Sequence, residues 1–584
     1  MHFASARDLS TSAKLPSRPS HGRSGAWNPV GTVLILLVVL ECCGCGDRSA
    51  SVDDHVRLID APSVVLSTEE DAPLVALVAF ETQEATIATI EIDDGSERWS
   101  VVEDGPPTTN HSIVLWGLKP DREHKVRAHV ATSEGQHSQR SESVTLKTPP
   151  LPKDFPPLKT LISEPDQMEP GVTVFAANRW EDGRRIHDYG YIIAVDATGE
   201  VVWYFRSKLR ISDLRWLSNG RLLFNGAKFF GLYEIDLFGR MRRQWWATGL
   251  RAAPNESFIP VPVDSFHHEI LELRNGNFLA LSTELRTVSD FPVDESEPQG
   301  RTEPAAVVGD MVVEFQPDGT VVDRIHLFDL LDSQRIGYGS LSGFWATHYR
   351  KDDDTPSRDW AHANSLSYDE DTDEIIVSLR HQDCVIKVDR KSRELRWIFG
   401  SPQRWRRPWS EKLLRPRGEM EWPFHQHGVK LTSRGTLMMY DNGNYRALPP
   451  DPKRPAAQNA SRAVEFRIDE ETRSVEQIWE YGPAEEIFYS PFYCDADTLP
   501  TTGNVLVTDG GRIETENQIA SDDIPADYQW ARIFEVTRTK PARKIFEITV
   551  DSSPFSSTGW SVYRSERLPP RDVLSKIATT ELSP

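Results

Sequence analysis

The stretch Asp359–Gly400 reads DWAHANSLSYDEDTDEIIVSLRHQDCVIKVDRKSRELRWIFG and carries the pattern from which the fold is predicted. Its β-branched and aromatic residues fall into four short runs, which we predict to be the strands Ser365–Tyr368, Glu374–Leu379, Val385–Val388 and Leu395–Phe399. Polar turn segments separate the runs, and this alternation is typical of an antiparallel meander. Because one four-stranded meander cannot bury both of its faces, further copies are expected beside it.

The hairpin formed by the third and fourth strands recurs along the chain. Its copies are Tyr191–Phe205, Leu232–Trp246, Met311–Phe328, Cys384–Phe399, Ala463–Tyr481 and Arg532–Ile548. These repeats predict an all-β fold, a six-bladed β-propeller, with a large β-sandwich or two smaller β-domains as the alternatives. One strand, Gly559–Arg564, is left over at the end, and we predict that it closes the ring beside Val172–Ala176.

The predicted propeller domain spans 158–584, and a smaller β-domain spans 52–148. The second half of that smaller domain resembles a fibronectin type III module. Leu118-x-Pro120 precedes its penultimate strand, Thr148-Pro-Pro ends it, and His124 stands where the family usually has Tyr. We therefore expect a fibronectin type III-like β-sandwich that acts as a spacer.

The N-terminal segment 1–45 has the features of an export leader. A basic, polar start is followed by the apolar run Val30–Leu40, which is too short to span a bilayer and fits the core of a secretory signal. The small residues ending at Cys45 are similar to a bacterial lipoprotein processing site. We predict a periplasmic or cell-surface protein that is lipid-anchored on Cys45 or Cys42, with simple cleavage or an uncleaved anchor as the alternatives.

The charge and the cysteine content limit the other partners. The net charge of -22 argues against nucleic acid or an anionic membrane surface as the main partner. Any membrane contact is therefore assigned to the N-terminal anchor alone. Outside the leader only Cys384 and Cys494 remain, so at most one internal disulfide is possible.

Long insertions fall on one face of the predicted propeller. They are Thr283–Gly309, Asp329–Ala361, Ser401–Phe424, Asp441–Arg462 and Asp509–Asp527, and they join either second to third strands or successive units. In an antiparallel meander both kinds of joint lie at the same end of the sheet. Functional residues are therefore expected at that end, because binding and catalytic groups concentrate on loops held by a rigid scaffold.

Three histidines occupy one structural position in successive units. His268 lies eight residues before the turn glycine Gly276, and His427 lies eight residues before the equivalent Gly435. His362 opens the first strand of the unit between them. The spacing predicts that these three imidazoles converge at the end of the propeller that carries the insertions.

Arg380 ends the second strand of the central unit and is predicted to join the three imidazoles. His267, His381 and His425 are sequence neighbours of this set. We expect them to point elsewhere, because successive residues of a strand face opposite sides.

Three segments resemble the bacterial arylsulfate sulfotransferases. They read SFHHEILELRNGNFL, DWAHANSLSYDEDTDEIIVSLRHQ and FHQHGVKLTSRGTLMMYDNGNYR, and the resemblance covers most of Leu158–Arg564. It implies a six-bladed propeller that moves a sulfuryl group from an aryl sulfate donor to a phenolic acceptor. It implies neither the nucleotide donor PAPS nor any other cofactor, and no metal.

The same resemblance implies roles for single residues. His427 would be the nucleophile that is transiently sulfated, and His268, His362 and Arg380 would bind the sulfuryl oxygens. Asn364 and His267 would contact the substrate. His267 competes with His268 for the first binding role, and the in-register repeat favours His268.

The residues taken without the resemblance leave two other functions open. In one, His268, His362 and His427 hold a metal ion, since three imidazoles suit zinc, although Arg380 beside them would repel a cation. In the other, the same end of the protein is a non-catalytic surface that binds a sulfated or acidic ligand.

Overall fold

The computed structural model describes residues 56–133, 137–349, 356–524, 527–552 and 556–582. The predicted leader 1–45 and its anchoring cysteines lie outside these residues. The described chain is almost entirely β-structure, which confirms the all-β prediction, and it contains one α-helix, α1 (Arg571–Thr580). No helix within the described ranges is long and apolar enough to cross a membrane.

The N-terminal domain is organised by one long strand that takes part in two sheets. Its strands are β1 (Ser63–Leu66), β2 (Val75–Asp93), β3 (Arg98–Val102), β4 (Thr108–Trp116), β5 (Glu123–Ala131), β6 (Ser138–Arg140) and β7 (Val144–Lys147). The first half of β2 pairs with β1 and β4, and its second half pairs with β3 and β5. Nε2 of His124 accepts a hydrogen bond from the backbone N–H of Lys119 at 3.3 Å, so this histidine fixes the corner that precedes β5.

Six further, mainly antiparallel sheets follow in the described chain, and most paired strands within each are neighbours in the sequence. The strand β8 (Leu158–Ser163) belongs to the last of them and is described below. The first sheet contains β9 (Val172–Glu181), β10 (Arg184–Arg185), β11 (Gly190–Val195) and β12 (Val201–Ser207). The second contains β13 (Leu214–Trp216), β14 (Leu222–Gly226), β15 (Gly231–Ile235), β16 (Met241–Ala247) and β17 (Ile259–Val261).

The third sheet contains β18 (His267–Glu272), β19 (Phe278–Pro292), β20 (Thr302–Phe315), β21 (Val321–His326) and β22 (Arg358–Asp359). The fourth contains β23 (Ala363–Asp369), β24 (Glu374–Leu379), β25 (Cys384–Asp389) and β26 (Leu395–Gly400). The fifth contains β27 (Arg415–Pro416), β28 (His427–Leu431), β29 (Thr436–Asp441), β30 (Arg462–Asp469) and β31 (Ser474–Tyr481).

The sixth sheet contains β32 (Asp495–Thr498), β33 (Val505–Glu514), β34 (Tyr528–Val536) and β35 (Lys544–Val550), and the chain then enters β36 (Thr558–Leu568). The added pairs β16–β17, β20–β22 and β27–β31 are parallel. Short 3-10 turns lie at Pro165–Gln167, Ala227–Phe229, Leu327–Asp329, Arg380–Gln382, Trp409–Lys412 and Ala456–Gln458. The four predicted strands of 359–400 are confirmed within two residues at each end. The stretch 283–309, predicted as an insertion, is instead mostly the extended end of the β19–β20 hairpin.

The strand that precedes the first sheet and the strand that follows the sixth join the two sheets at the ends of the series. β36 pairs with β9, which confirms the predicted partner strand, but the predicted register is wrong. Gly559–Val562 lie opposite Ala177–Trp180, and it is Ser565–Leu568 that lie opposite Val172–Phe175. A second closure was not predicted: β8 pairs with β35 and completes the sixth sheet. The first and sixth sheets therefore each contain strands from distant parts of the sequence, which leaves fewer free edges.

Apolar residues fill the space between successive sheets. Six clusters of buried side chains lie between the first and second sheets, the second and third, and so on, and one of them joins the sixth to the first. Each sheet therefore packs against two neighbours, as a fully buried sheet requires. The free cysteines Cys384 and Cys494 are buried in two of these clusters.

Charged residues meet where the first strands of the sheets come together. Arg564 on β36 is almost fully buried and donates to both carboxylate oxygens of Glu269 at 2.8 Å. The same guanidinium lies 3.0 Å from Asp213 and 3.2 Å from Asp495, and Lys430 lies 2.7 Å from Asp495. These five residues form a buried charge network, in which each buried charge has an opposite partner.

The helix α1 returns to the N-terminal domain. The backbone N–H groups of Val114 and Trp116 on β4 donate to the hydroxyls of Thr579 and Ser575, each at 3.0 Å. The Trp116 ring also stacks on Trp203 of the first sheet, with the ring centroids 5.8 Å apart. The N-terminal domain is thus fixed to the rest of the described chain rather than held on a free linker.

Candidate active site

The three histidines predicted to be equivalent share one backbone irregularity. Each of the strands β18, β23 and β28 has a register shift at its start, at His267/Ile270, Ala363/Ser365 and His427/Lys430. Such bulges re-aim side chains and are frequent next to active sites. His268 and His362 also have φ values of 57° and 52°, a left-handed conformation that costs about 1–3 kcal/mol and is concentrated at functional sites.

The turn Arg380–Gln382 fixes the guanidinium beside these histidines. The N–H of Arg380 donates to the carbonyl of His362 at 3.1 Å, and the N–H of His381 donates to that of Ala361 at 3.0 Å. The end of β24 is therefore tied to the start of β23. This pairing brings Arg380 and His362 to one place, although eighteen residues separate them in the sequence.

A cavity of about 370 Å³ receives these side chains. His268, His362, Arg380 and His427 all line it, so the structure brings together the four residues predicted to be catalytic. Other lining residues are Arg185, Arg210, Ser212, Phe229, Gly339, Ser342, Phe344, Asp359, His381, Phe492, Tyr493, Ile524 and Tyr563. Several come from the predicted insertions, so the cavity lies at the end of the sheets that carries them.

Two residues predicted to contact substrate do not line this cavity. The buried Asn364 donates from Nδ2 to the carbonyl of Gln426 at 2.7 Å, and so positions the backbone next to His427. His267 is fully buried behind His268. His381 was predicted to point elsewhere, but it lines the cavity, because it lies in the turn after β24 and not within a strand.

His427 is held in one orientation by its Nδ1 atom. That atom lies 2.7 Å from Oδ1 of Asn442 and 3.1 Å from the carbonyl of His425. Because Asn442 donates from Nδ2 to the carbonyl of Ser490 at 2.8 Å, its Oδ1 must act as the acceptor. The proton of a neutral His427 is thereby placed on Nδ1, which leaves a lone pair on Nε2.

The surroundings also keep His427 neutral. Burial, reinforced by the positive charge of Arg380, holds the pKa of His427 well below its ordinary value. An uncharged imidazole with a free Nε2 lone pair is a competent nucleophile. The geometry of His427 therefore suits attack on an electrophilic sulfur or phosphorus atom.

His268 is oriented by a chain of buried groups. Its Nδ1 lies 2.8 Å from Nδ1 of His267, and Nε2 of His267 lies 3.5 Å from Oδ1 of Asp310. Burial and the charge of Asp359 raise the pKa of Asp310 well above its ordinary value. Neither Oδ1 of Asp310 nor Nε2 of His267 makes a hydrogen bond within the described residues. A neutral His268 that accepts from the Nδ1–H of His267 carries its own proton on Nε2 and can donate it to an anion.

His362 is paired with a carboxylate. Its Nδ1 lies 2.6 Å from Oδ2 of Asp359, and burial raises the pKa of Asp359 to about 6, so the carboxylate is ionised at neutral pH. Burial and Arg380 hold the pKa of His362 itself well below its ordinary value. An imidazole whose Nδ1 donates to a carboxylate can take up and release a proton at Nε2.

One group of potential metal ligands exists among the described residues, and it is not the predicted one. Asp359, His362 and His381 have ligand atoms within 4.8 Å of one another. Hydrogen bonds already account for this arrangement, because His362 Nδ1 faces the Asp359 carboxylate and His381 Nδ1 lies 2.9 Å from the Asp359 carbonyl. Arg380 lines the same cavity and disfavours a cation there.

Positive charge dominates the cavity. Arg185, Arg210 and Arg380 line it, and within the described ranges none of the three has a carboxylate partner within ion-pair distance. Arg380 donates from Nη2 to the carbonyl of Pro491 at 3.0 Å, which orients its planar fork. Unpaired guanidinium groups in a largely buried cavity favour an oxyanion as ligand.

Aromatic rings line the cavity beside the histidines. The rings of Phe344 and His362 lie edge to face with centroids 4.9 Å apart, and the ring of Phe229 stacks on His268 at 6.1 Å. Phe344 is 36% exposed, so it lies near the opening. An aryl group attached to a bound oxyanion would find apolar faces here.

Sequence reasoning missed Asp359, Asn442, Arg185, Arg210 and Tyr493. Signals existed for two of them: Asp359 begins the Asp-Trp-x-His string, and Asn442 lies in the Tyr-Asp-Asn-Gly-Asn string after β29. The other three stand in a two-residue strand or in connections of other sheets. No repeat or turn pattern marks those positions.

Comparison with known proteins identifies relatives of both parts of the chain. A family profile described as "Arylsulfotransferase (ASST)" matches residues 159–564, and one described as "Arylsulfotransferase Ig-like domain" matches residues 63–149. The chain is 32% identical over 298 residues to the arylsulfate sulfotransferase AssT of Escherichia coli O6:H1 (strain CFT073), covering 44% of this chain and 45% of that one. It is 30% identical over 237 residues to AssT of Lelliottia amnigena, covering 33% and 39%.

These alignments span less than half the length of each relative. Among solved structures, a protein of unknown function from Bacteroides caccae aligns with 68% of this chain and 94% of its own at a TM-score of 0.30 and 10% identity. That similarity is too low to support an argument about fold. The N-terminal domain is thus related to an Ig-like domain, and its assignment to the fibronectin type III type stays a prediction.

Proposed function

Because this chain belongs to the arylsulfotransferase family, we propose that it transfers a sulfuryl group from an aryl sulfate donor to a phenolic acceptor without PAPS. One observation carries the proposal. His427, with a free Nε2 lone pair, shares a cavity of about 370 Å³ with His268, His362 and an Arg380 that has no carboxylate partner among the described residues. A nucleophile beside unpaired oxyanion-binding groups suits transfer of an anionic group.

In the first half-reaction, Nε2 of His427 attacks the sulfur atom of the donor. An S–N bond forms, the bond between sulfur and the aryl oxygen breaks, and its electron pair stays on that oxygen. The Nε2 proton of His268 and the fork of Arg380 hold the sulfuryl oxygens while their charge redistributes. Holding these oxygens in place is most of what an enzyme does in such a transfer.

His362 acts as the general acid and then as the general base for the phenol oxygen. In its protonated form, which the negative charge of the bound ester favours, it donates from Nε2 to the leaving oxygen. In the second half-reaction, Nε2 takes the proton of the incoming phenol while the phenol oxygen attacks sulfur and the S–N bond breaks. Asp359 stabilises the imidazolium that exists before the first step and forms again in the second, so no net proton is gained or lost in a cycle.

We further infer that the six sheets are the blades of a propeller. One strand of each sheet contacts the next in the cyclic order β36, β13, β18, β23, β28 and β32. Where β13 meets β18, Asp213, which directly precedes β13, accepts from the N–H of Ile270 at 3.2 Å. The six apolar clusters follow the same cyclic order, and two strand pairings from the chain ends close it. The cavity would then lie on the axis, where ligand sites are found in ring-shaped folds.

We also propose that the protein is exported and anchored through its leader. The apolar run Val30–Leu40 and the cysteines that follow it support this proposal. Incorporation of a radiolabelled fatty acid into the native chain, and its loss in a Cys45→Ser and Cys42→Ser variant, would establish the anchor. Absence of label from the native chain would contradict it.

Purified full-length protein incubated with 4-nitrophenyl sulfate and phenol is expected to release nitrophenol and form phenyl sulfate in equal amounts. Release should depend on phenol, because the sulfated enzyme needs an acceptor to turn over. Chromatography of the products with added phenol, and without it, measures both quantities. No release from a panel of aryl sulfates would refute the transferase and favour a surface that only binds anions.

His362→Ala is expected to slow transfer from phenyl sulfate by about 10²–10⁴-fold, and transfer from 4-nitrophenyl sulfate much less. Nitrophenolate is a weak base and leaves without a proton, whereas phenolate needs one. The acceptor step also uses His362 and is common to both donors, so the difference is measured as kcat/KM for each donor, which reports the first half-reaction alone. Asp359→Asn should change both values in the same direction by less. An equal loss on both donors would instead show that His362 binds sulfuryl oxygens, as the family resemblance implies.

A further inference from the structure

The cavity contains a second polar cluster that the proposed chemistry does not use, formed by Arg185, Arg210 and Tyr493. Arg210 is only 7% exposed; its Nη2 donates to the Tyr493 hydroxyl, and its Nε has no hydrogen-bond partner among the described residues. The Arg185 guanidinium lies 5.1 Å from the ring centroid of Trp180 and 5.9 Å from that of Tyr493. All three cluster residues line the cavity.

The cluster carries positive charge without a counter-ion in the described part of the chain. Burying an unpaired charge is unfavourable, and proteins retain such groups mainly where a ligand supplies the partner. Burial alone would raise the pKa of Tyr493, yet Arg185 and Arg210 lower it. The neighbouring His187 also has a lowered pKa, from burial and from Arg210, Lys228 and Arg185. The groups around this end of the cavity therefore add positive potential.

Tyr563 lies between this cluster and the histidines. Its ring centroid is 5.1 Å from that of Tyr493 and 6.1 Å from that of His268. The two polar ends of the cavity are thus about one aromatic ring apart. A substrate whose sulfuryl group lies at His268 and His427 would extend its far side toward Arg185 and Arg210.

We propose that Arg185, Arg210 and Tyr493 form a second anion-binding subsite, so that the preferred substrates are aryl compounds with a further anionic group on the ring. A carboxylate or a second sulfo group offers the oxygen atoms that a guanidinium binds in charge-assisted hydrogen bonds. The identity of the reacting sulfuryl end rests on the proposed function. The binding preference does not, and it can be measured without turnover.

The test uses arylsulfonates, whose sulfo group cannot be transferred because it is bound to a ring carbon instead of an oxygen. Calorimetric titration of the full-length protein compares the affinities of 4-carboxybenzenesulfonate and 4-carbamoylbenzenesulfonate, in which an uncharged amide replaces the carboxylate. The 3-carboxy and 3-carbamoyl compounds are compared in the same way. We expect the carboxylate of at least one pair to bind about tenfold tighter or more, as a charged hydrogen bond allows. The affinity of benzene-1,3-disulfonate relative to that of benzenesulfonate measures the gain from a second sulfo group. Comparing it with the gain from a carboxylate shows which anionic group the subsite prefers.

Matched variants assign the preference to the cluster. Arg210→Gln and Arg185→Gln should each reduce the carboxylate-to-amide ratio severalfold, and the double variant should abolish it. Arg274→Gln is the control, because the Arg274 side chain is 87% exposed and paired with Glu370 at 2.5 Å, outside the cavity. The native protein alone tests the preference if a variant fails to fold.

Two results would overturn the subsite: equal binding of acid and amide in both pairs with no gain for the disulfonate, or a preference that survives in the double variant. Failure of the transferase would look different. A protein that shows the preference but never transfers sulfuryl groups would retain this subsite and lose the proposed function. Transfer without any preference would remove the subsite alone.

Discussion

His427→Ala is expected to lower the rate of phenol-dependent nitrophenol release by about 10⁴-fold or more. Removing a nucleophile eliminates the covalent route altogether, and only binding and charge stabilisation remain. Cys and Ser are no substitutes, because the cavity is built to orient an imidazole through Asn442 at 2.7 Å. Steady-state rates with 4-nitrophenyl sulfate and phenol measure the loss.

A direct observation of the intermediate accompanies that rate. Native protein is incubated with 4-nitrophenyl sulfate without acceptor and quenched under non-acidic conditions that preserve an S–N bond. Mass spectrometry should then find one sulfuryl group on the peptide that contains His427. The His427→Ala protein should carry none, and His129→Ala on β5 of the N-terminal domain should behave as the native protein does. A sulfuryl adduct on another residue, or full activity of His427→Ala, would contradict the mechanism.

Arg380→Gln is expected to lower kcat/KM by about 10²–10³-fold, the usual result of removing one donor to a developing oxyanion. Arg380→Lys should recover part of the loss, because it restores the charge but not the planar fork. The Gln variant should also lose activity at a higher pH than the native protein. Arg380 helps to lower the pKa of His427, so without it the nucleophile is protonated more readily as the pH falls.

The comparison of kcat/KM from pH 5 to pH 8 in the three proteins checks both effects. Arg406→Gln is a matched control, because Arg406 is paired with Asp332 in a connecting loop and does not line the cavity. An Arg380→Gln protein with native kcat/KM would show that the sulfuryl oxygens are bound elsewhere. An unchanged pH profile would show that Arg380 does not set the charge state of His427.

Local pattern was sufficient to predict the strands and the convergence of His268, His362, Arg380 and His427 on one cavity. The strands of 359–400 follow from alternating polarity and turn residues, which act over a few positions. The convergence of His268 and His427 follows from their equal spacing to Gly276 and Gly435, since equal spacing in repeated units means an equal place in the fold.

Features that join distant parts of the chain could not be derived in this way. The pairing of β8 with β35 and the docking of α1 on β4 depend on contacts between residues hundreds of positions apart. Arg185 and Arg210 reach the cavity from the first sheet and from the connection that follows it. His381 was predicted to face away because it was treated as a strand residue, whereas the chain turns at Arg380.

The buried charge network around Arg564 closes one side of the cavity. Ser212 and Tyr563 line the cavity, and their sequence neighbours Asp213 and Arg564 belong to the network and are about 1% exposed. The described chain therefore closes the cavity on that side, whereas the 36% exposed Phe344 lies on a side that is open to solvent. In the proposed transfer, the released phenol and the incoming acceptor would share that open side, so added product phenol is expected to compete with the acceptor.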